Sequence, residues 1–355
     1  MPSRERSSRT VTQEALLYRM HVKQERKDTM KYVRLGNSGL QVSRVILGCM
    51  GFGDPSRGTH EWALGIDEAR PLIKQALGAG ITTFDTANAY SLGASEEIVG
   101  TVLGELTKRD DVLIATKVFQ PMGPGPKDAG LSRAALFTQV EQSLKRLKTD
   151  YIDLYRIHRY DPNTPIEETL EALHDLVKSG KVRYIGASSM YAWQFAQAQY
   201  VADVHGWTRF VSMQDQYNLL MREEEREMLP FCLNQGVGVI PWSPLARGLL
   251  TREWSAKTNR SETDKFTKTL YSQAEEANQK IVATVKAIAE ERHVPMAQIG
   301  LAWLLQKEAV TAPIVGVTKP QHLTDAVAAV NLKLSDDEIR RLEAPYIPQL
   351  PVAFS

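Results

Sequence analysis

Phe84-Asp85-Thr86-Ala87-Asn88-Ala89-Tyr90 sets a carboxylate and a phenol five residues apart, just behind the short apolar run Ile81-Thr82-Thr83-Phe84. An apolar run of this length reads as a strand, so Asp85 falls at its C-terminal tip and Tyr90 in the loop beyond. Lys117 stands at the tip of the next such run, Val112-Leu113-Ile114-Ala115-Thr116-Lys117. His158 ends the one after, Tyr151-Ile152-Asp153-Leu154-Tyr155-Arg156-Ile157-His158. Three successive strands thus each deliver ionisable groups to one rim.

Outward from this stretch, short β-like runs alternate with helix-like segments. The runs are Val45–Leu47, Thr83–Asp85, Val112–Lys117, Tyr151–His158, Val182–Ser188, Phe210–Gln214, Val237–Trp242 and Ala312–Val315. Strict alternation predicts a parallel sheet, and eight units allow it to close into a (β/α)8 TIM barrel, an α/β fold whose C-terminal rim carries the chemistry. The intervening segments show helical spacing, as at Leu170, Leu173, Leu176 and Val177, with Gly180 as the stop. Ahead of the first unit, Lys31 to Ser43 reads as a β-hairpin turning at Asn37-Ser38-Gly39, residues able to take positive φ. Ala246 to Ser272 lacks periodicity and carries Arg252, Lys257, Arg260, Lys265 and Lys268. A loop this long is a clamp over the rim or a mobile surface insertion. Ser335 with Asp336, Asp337 and Glu338 predicts a capped final helix.

The 355 residues are 43% hydrophobic and carry a net charge of +1. That content supports a sizeable core, and the charge gives no reason to expect nucleic acid or a membrane surface as partner. Only Cys49 and Cys232 are present, at most one disulfide, which points to a reducing compartment and the cytoplasm. No apolar run approaches the roughly 18 residues a spanning helix needs. Residues 1–30 are polar and read as a disordered extension; Glu5, Glu14 and Glu25 argue against a mitochondrial presequence. Residues 31–355 read as one barrel domain. His-Glu-x-x-His and paired-cysteine motifs are absent, so no metal is expected.

Reduction of a carbonyl needs a hydride at carbon, a proton at oxygen and stabilisation of the developing alkoxide. A phenol is a poor acid near pH 7, and a neighbouring ammonium favours the phenolate. A carboxylate paired with that ammonium fixes it, and an imidazole can hydrogen-bond the carbonyl oxygen. Tyr90, Lys117, Asp85 and His158 fit these roles in turn. Singly each has a plain structural explanation; jointly, at the tips of three consecutive strands, they do not.

The chain resembles the aldo-keto reductases from about Lys31 to Tyr346. The resemblance rests on Asp85-Thr86-Ala87-x-x-Tyr90 with Gly93-x-Ser95-Glu96, Ala115-Thr116-Lys117, Ile157-His158-Arg159 and Ile185-Gly186-Ala187-Ser188-Ser189. Pro241-Trp242-Ser243-Pro244-Leu245-Ala246-Arg247-Gly248 and Pro313-Ile314-Val315-Gly316-Val317 complete it. Asp161 to Thr169 and Glu223 to Met228 resemble a microbial, largely fungal branch. The resemblance implies a barrel closed at its bottom by the hairpin and a tetrad of Asp85, Tyr90, Lys117 and His158. It also implies a nicotinamide cofactor bound without a Gly-x-Gly-x-x-Gly turn. In this reading Ser188, Ser189 and Gln214 hold the nicotinamide amide, and Trp242 lies under the ring. Ser243, Leu245, Ala246 and Gly248 reach the pyrophosphate. Gly316, Thr318, Lys319, His322 and Asp325 take the adenosine end, with Lys319 placed for a 2′-phosphate, which favours NADPH/NADP+ over NADH. Phe52, Phe119, Tyr160 and Tyr191 are the expected substrate contacts, for a small-molecule carbonyl. An NADPH-binding regulatory subunit with slow turnover is the alternative, since such relatives keep the tetrad. Three positions differ from the common family pattern: Ser189 replaces Asn, Thr318 replaces Arg, and Asp325-Ala326 replaces Glu-Asn.

Overall fold

The computed structural model describes residues 30–58, 62–256, 265–352 and 354. The expected N-terminal extension lies outside these residues, apart from Met30, which is buried. β1 (Tyr32–Arg34) and β2 (Gln41–Ser43) form the antiparallel hairpin, with Val33 opposite Val42. The turn differs from the sequence reading, because the left-handed residue is Gly36, with φ of 55°, and not Asn37, Ser38 or Gly39. The cause is docking: a Cβ on Gly36 would lie 2.3 Å from the Gly236 carbonyl oxygen, which accepts the Asn37 N–H at 2.7 Å. Close approach of two backbones leaves room for glycine alone.

Beyond the hairpin the chain alternates as expected. It runs β3 (Ile46–Gly48), α1 (Ile66–Gly78), β4 (Thr83–Asp85), α2 (Ala94–Leu106), β5 (Leu113–Val118), α3 (Arg133–Leu147) and β6 (Ile152–Ile157). It continues α4 (Ile166–Lys178), β7 (Val182–Ser188), α5 (Ala192–His205), β8 (Ser212–Gln214), α6 (Met228–Gln235) and β9 (Gly238–Val239). After α7 (Lys265–Tyr271), α8 (Glu275–Arg292) and α9 (Met296–Leu305) come β10 (Ile314–Gly316), α10 (Pro320–Ala329) and α11 (Asp336–Glu343). β3 to β10 are parallel neighbours in sequence order, and β10 pairs with β3. The circle closes where the Thr311 N–H donates to Val239 O at 2.8 Å and the Ile314 N–H to Pro241 O at 3.0 Å. The fold is a (β/α)8 barrel. β9 is shorter than the six residues expected because Pro241 has no N–H to give to a ladder.

Two apolar layers hold the barrel. Inside its lower end, Leu35, Leu40 and Val42 of the hairpin pack with Ile46, Ala115, Leu154, Ile240, Ala312 and Ile314. Outside, helix faces pack on the strands; in α4, Leu170, Leu173 and Leu176 are buried at helical spacing, and Gly180 follows with φ of 78°. Ser335 caps α11 by accepting the Glu338 N–H, while the Glu338 carboxylate accepts the Ser335 N–H. The described parts of 246–272 have more order than their composition suggests. They open as a 3₁₀ segment, Ala246–Thr251, and end in α7, whose Tyr271 hydroxyl accepts from the Gln216 and Asn218 amides at 3.0 Å each. Lys257 and Arg260 lie outside the described residues. No described helix is long and apolar enough to cross a membrane.

Candidate active site

The strand tips bring the four chemical residues together at the C-terminal rim. Lys117, second from the end of β5, is fully buried. Its Nζ donates to Asp85 Oδ1 at 2.6 Å, to Thr86 O at 2.8 Å and to Tyr90 Oη at 3.1 Å. An ammonium has three hydrogens, and all three are used. Tyr90 Oη therefore accepts from Lys117, and its own O–H is left to point elsewhere. The His158 ring meets the Tyr90 ring edge-on, with centroids 5.9 Å apart. Burial, followed by the charges of Lys117, Arg159 and Arg156, holds His158 well below its ordinary 6.5. The imidazole is neutral at neutral pH and carries a single N–H. Burial likewise draws Lys117 below its usual 10.5.

A further residue belongs to this cluster, and the sequence reading did not single it out. Arg156 is fully buried inside the barrel, and its Nη2 is ion-paired with Asp85 Oδ2. Gln214 Nε2 donates to the same oxygen at 3.2 Å. Burial lowers Arg156 to about 9, so it stays cationic at neutral pH. One carboxylate thus faces two cations, and the cluster keeps a net positive charge. The signal was available: Leu154, Arg156 and His158 alternate along β6, so all three share the inward face. Gly186 of the neighbouring strand makes the space, since a Cβ there would lie 2.7 Å from Arg156 Cγ.

Tyr90, His158 and Asp85 floor a cavity of about 770 Å³. That volume suits a large organic ligand. Ser188, Gln214 and Trp242 continue its wall. Ser188 Oγ donates to Gln214 O at 2.7 Å. Ser189 is fully buried behind the wall, where its Oγ accepts the Trp242 indole N–H at 3.0 Å and its N–H donates to Asp215 Oδ1 at 2.8 Å. Ser189 thereby fixes the indole face. Past Trp242 the cavity runs between two walls. Ser243, Leu245, Arg247, Gly248 and Arg252 form one; Gly316, Thr318, Lys319, His322 and Asp325 form the other. Ala246 is buried and not on the wall. Lys319 is the N-cap residue of α10, whose free N–H groups and dipole favour anions. Asp325 accepts from Gln298 at 3.1 Å and Gln321 at 3.0 Å. Ser189, Ser243, Ala246 and Arg247 all take positive φ, 46° to 55°. Strained non-glycine residues gathered at one rim are a mark of a ligand site.

The expected substrate contacts do not line this cavity. Phe52 is fully buried in the core, and Phe119 packs against it. Tyr160 leans on Trp193 at 6.4 Å, and Tyr191 meets Phe354 edge-on at 4.9 Å. The cavity wall includes none of these four. Sequence spacing cannot tell an aromatic that turns outward from one that turns into a rim. The wall does include Cys49, Met50, Trp62 and Arg159.

The model of the aldo/keto reductase family matches residues 44–347. Versiconal hemiacetal acetate reductase of Aspergillus parasiticus is 45% identical over 340 residues, covering 90% of this chain and 98% of that protein. An aldo-keto reductase of Alternaria alternata is 45% identical over 350 residues, 91% of this chain and 94% of its own length. Another, of Metarhizium robertsii, is 44% identical over 346 residues, 90% and 91%. A family match over most of the chain, on a closed barrel whose rim gathers Asp85, Tyr90, Lys117 and His158, leads to one conclusion: the chain belongs to the aldo/keto reductase family, oxidoreductases that reduce carbonyl groups with a nicotinamide cofactor.

Proposed function

We propose that the protein is an NADPH-dependent reductase that converts an aldehyde or ketone to an alcohol, with Tyr90 as general acid. The observation that carries this reading is the Lys117 ammonium, which spends its three hydrogens on Asp85, Thr86 and Tyr90. With the Tyr90 oxygen accepting from Lys117, the phenol proton is directed to the cavity, where a carbonyl oxygen would take it. Lys117 stabilises the phenolate left behind. The surplus positive charge of Lys117 and Arg156 over Asp85 stabilises negative charge developing on the substrate oxygen. The neutral His158 ring has one N–H to donate to that oxygen. Asp85 orients Lys117.

The cavity fits the cofactor: an aromatic face beside the tetrad, polar side chains next to it, and a helix N-terminus with a lysine at the far end. In this reading Ser188 and Gln214 hold the nicotinamide amide, Trp242 stacks on the ring, and Ser243, Leu245 and Gly248 lie along the pyrophosphate. Gly316, Thr318, Lys319, His322 and Asp325 hold the adenosine phosphate end. When bound, NADPH supplies the hydride. We place the protein in the cytoplasm, with residues 31–355 as one domain. Similarity to a versiconal hemiacetal acetate reductase supports a carbonyl of secondary metabolism as substrate.

The test is Tyr90→Phe, assayed by NADPH absorbance against a carbonyl panel. General acid catalysis contributes about 10²–10⁴-fold. The variant should lose kcat by that order while still binding NADPH. Retention of more than about a third of wild-type kcat would sink the role of Tyr90. Tight NADPH binding by the wild type without turnover of any carbonyl would leave a regulatory cofactor-binding protein instead.

A further inference from the structure

We propose that Arg159 makes this cavity selective for carbonyl compounds that carry a carboxylate. The inference rests on the reductase reading above and adds the substrate class. Arg159 follows His158 at the end of β6 and stands on the cavity wall with Tyr90 and His158. A guanidinium has five N–H donors. One of these, on Nη1, goes to the His158 carbonyl oxygen at 2.7 Å. Among the described residues no carboxylate lies within ion-pair distance of Arg159; all the ion pairs at this rim belong to other cations.

A half-buried guanidinium without a counter-ion is costly, because burial penalises its charge. Burial does lower Arg159 from its ordinary value. Of the groups whose charge bears on it, Tyr90 comes before Asp215; the phenol carries charge only after giving up its proton, and Asp215 is a poor substitute. Asp215 Oδ1 already accepts the Ser189 N–H at 2.8 Å, and burial pushes its carboxyl above the usual carboxylate range, which disfavours the charged form. The neighbouring triad offers no negative charge either, since Lys117 and Arg156 outnumber Asp85. The tetrad end of the cavity therefore holds more positive charge than its acids balance.

Cofactor phosphate is not the missing anion. The far end of the same cavity has its own cations, Lys319 at the α10 N-terminus and Arg247 and Arg252 on the wall facing it. Arg159 stands at the opposite end, where the reacting carbonyl must sit against Tyr90. A carboxylate on the substrate supplies the counter-ion there, and the planar guanidinium can bind it in a fork.

The experiment uses matched pairs. The three ring isomers of carboxybenzaldehyde and their methyl esters present the same aldehyde with and without the charge. Wild type, Arg159→Gln and Arg159→Lys are assayed for kcat and KM, and NADPH affinity is read separately by tryptophan fluorescence. At least one acid should exceed its ester in kcat/KM by about tenfold or more in the wild type. Arg159→Gln should erase that ratio through KM, and Arg159→Lys should keep part of it. Equal use of acid and ester by the wild type overturns the inference while leaving the reductase reading intact. So does an Arg159→Gln variant that weakens both substrates alike or weakens NADPH, which would assign the guanidinium to the cofactor. A second readout does not need turnover: calorimetric binding of the carboxybenzyl alcohols and their esters to the NADP+ complex. Preference for the acids that is lost in Arg159→Gln supports the inference even if no aldehyde is reduced, in which case it is the reductase reading that fails. No preference overturns it.

Discussion

In the proposed reduction, Lys117 sets the direction of proton flow through hydrogen-bond arithmetic. Three donors meet three acceptors, so the tyrosine hydroxyl cannot also give its proton to the lysine. Burial, together with the charges of Lys117, Arg159 and Arg156, keeps His158 uncharged. A histidine held well below 6.5 does not titrate between pH 6 and 8. The pH–rate profile of reduction should therefore show no inflection near 6.5, and His158→Gln should lower kcat without reshaping the profile over that range. An inflection at 6.5 that disappears in His158→Gln would refute a neutral imidazole. The four residues were legible at this scale because Asp85, Lys117 and His158 each close a strand-like run and Tyr90 follows the first of them by five residues. Arg156 was not read, although its place two residues before His158 puts it on the same inward face. The rule of alternation was sufficient; what was missing was a reason to look for a second cation on one carboxylate.

At the scale of single elements, β7 and α10 carry the clearest consequences. Gly186 of β7 lies beside Arg156, and a Cβ there would stand 2.3 Å from Ser212 Oγ as well as 2.7 Å from Arg156 Cγ. Gly186→Ala overpacks the barrel interior and should cost about 1–3 kcal/mol by urea unfolding, with a fall in kcat as Arg156 shifts off Asp85. Unchanged stability and activity would mean that the guanidinium moves freely. α10 starts at Pro320, after Lys319, so its N-terminus supplies both dipole and cation. Lys319→Ala should raise Kd for NADPH by about tenfold, roughly 1.4 kcal/mol, and barely change Kd for NADH. Added salt should shrink the difference, since the lysine is exposed. Equal weakening of both cofactors would show that no 2′-phosphate is read there. Arg252, whose Nη1 donates to Gly248 O at 2.6 Å, already braces the opposite wall and can blunt the change.

Across the whole molecule, the hairpin and the barrel form one packing unit. Gly36 touches the backbone of Gly236, Val237 and Gly238, so a residue near the start of the chain meets the β8–β9 connection about 200 residues later. Gly36→Ala would clash there and strain a φ of 55°, so it should destabilise the protein by about 2–3 kcal/mol in urea unfolding. The hairpin closes the end of the barrel opposite the tetrad, so kcat of the folded fraction should hold. A large loss of kcat without loss of stability would mean that the hairpin reaches the site. Eight strands, their order and the hairpin were determined by the sequence, because hydrophobic periodicity and turn residues are local signals and the barrel is their repetition. The four residues proposed as the tetrad were legible the same way, since a strand tip and the loop just past it are positions in sequence. What only the tertiary structure decided was direction. Phe52 turns into the core, Tyr191 turns to Phe354, Ser189 turns behind Trp242, and Gly36 rather than Gly39 takes the left-handed turn. The charge balance of the site was decided there too, because the pairing of Arg156 with Asp85 and the absence, among the described residues, of a carboxylate within ion-pair distance of Arg159 depend on contacts between strands. Periodicity fixes which face of an element a residue occupies; only packing between elements fixes what that residue meets.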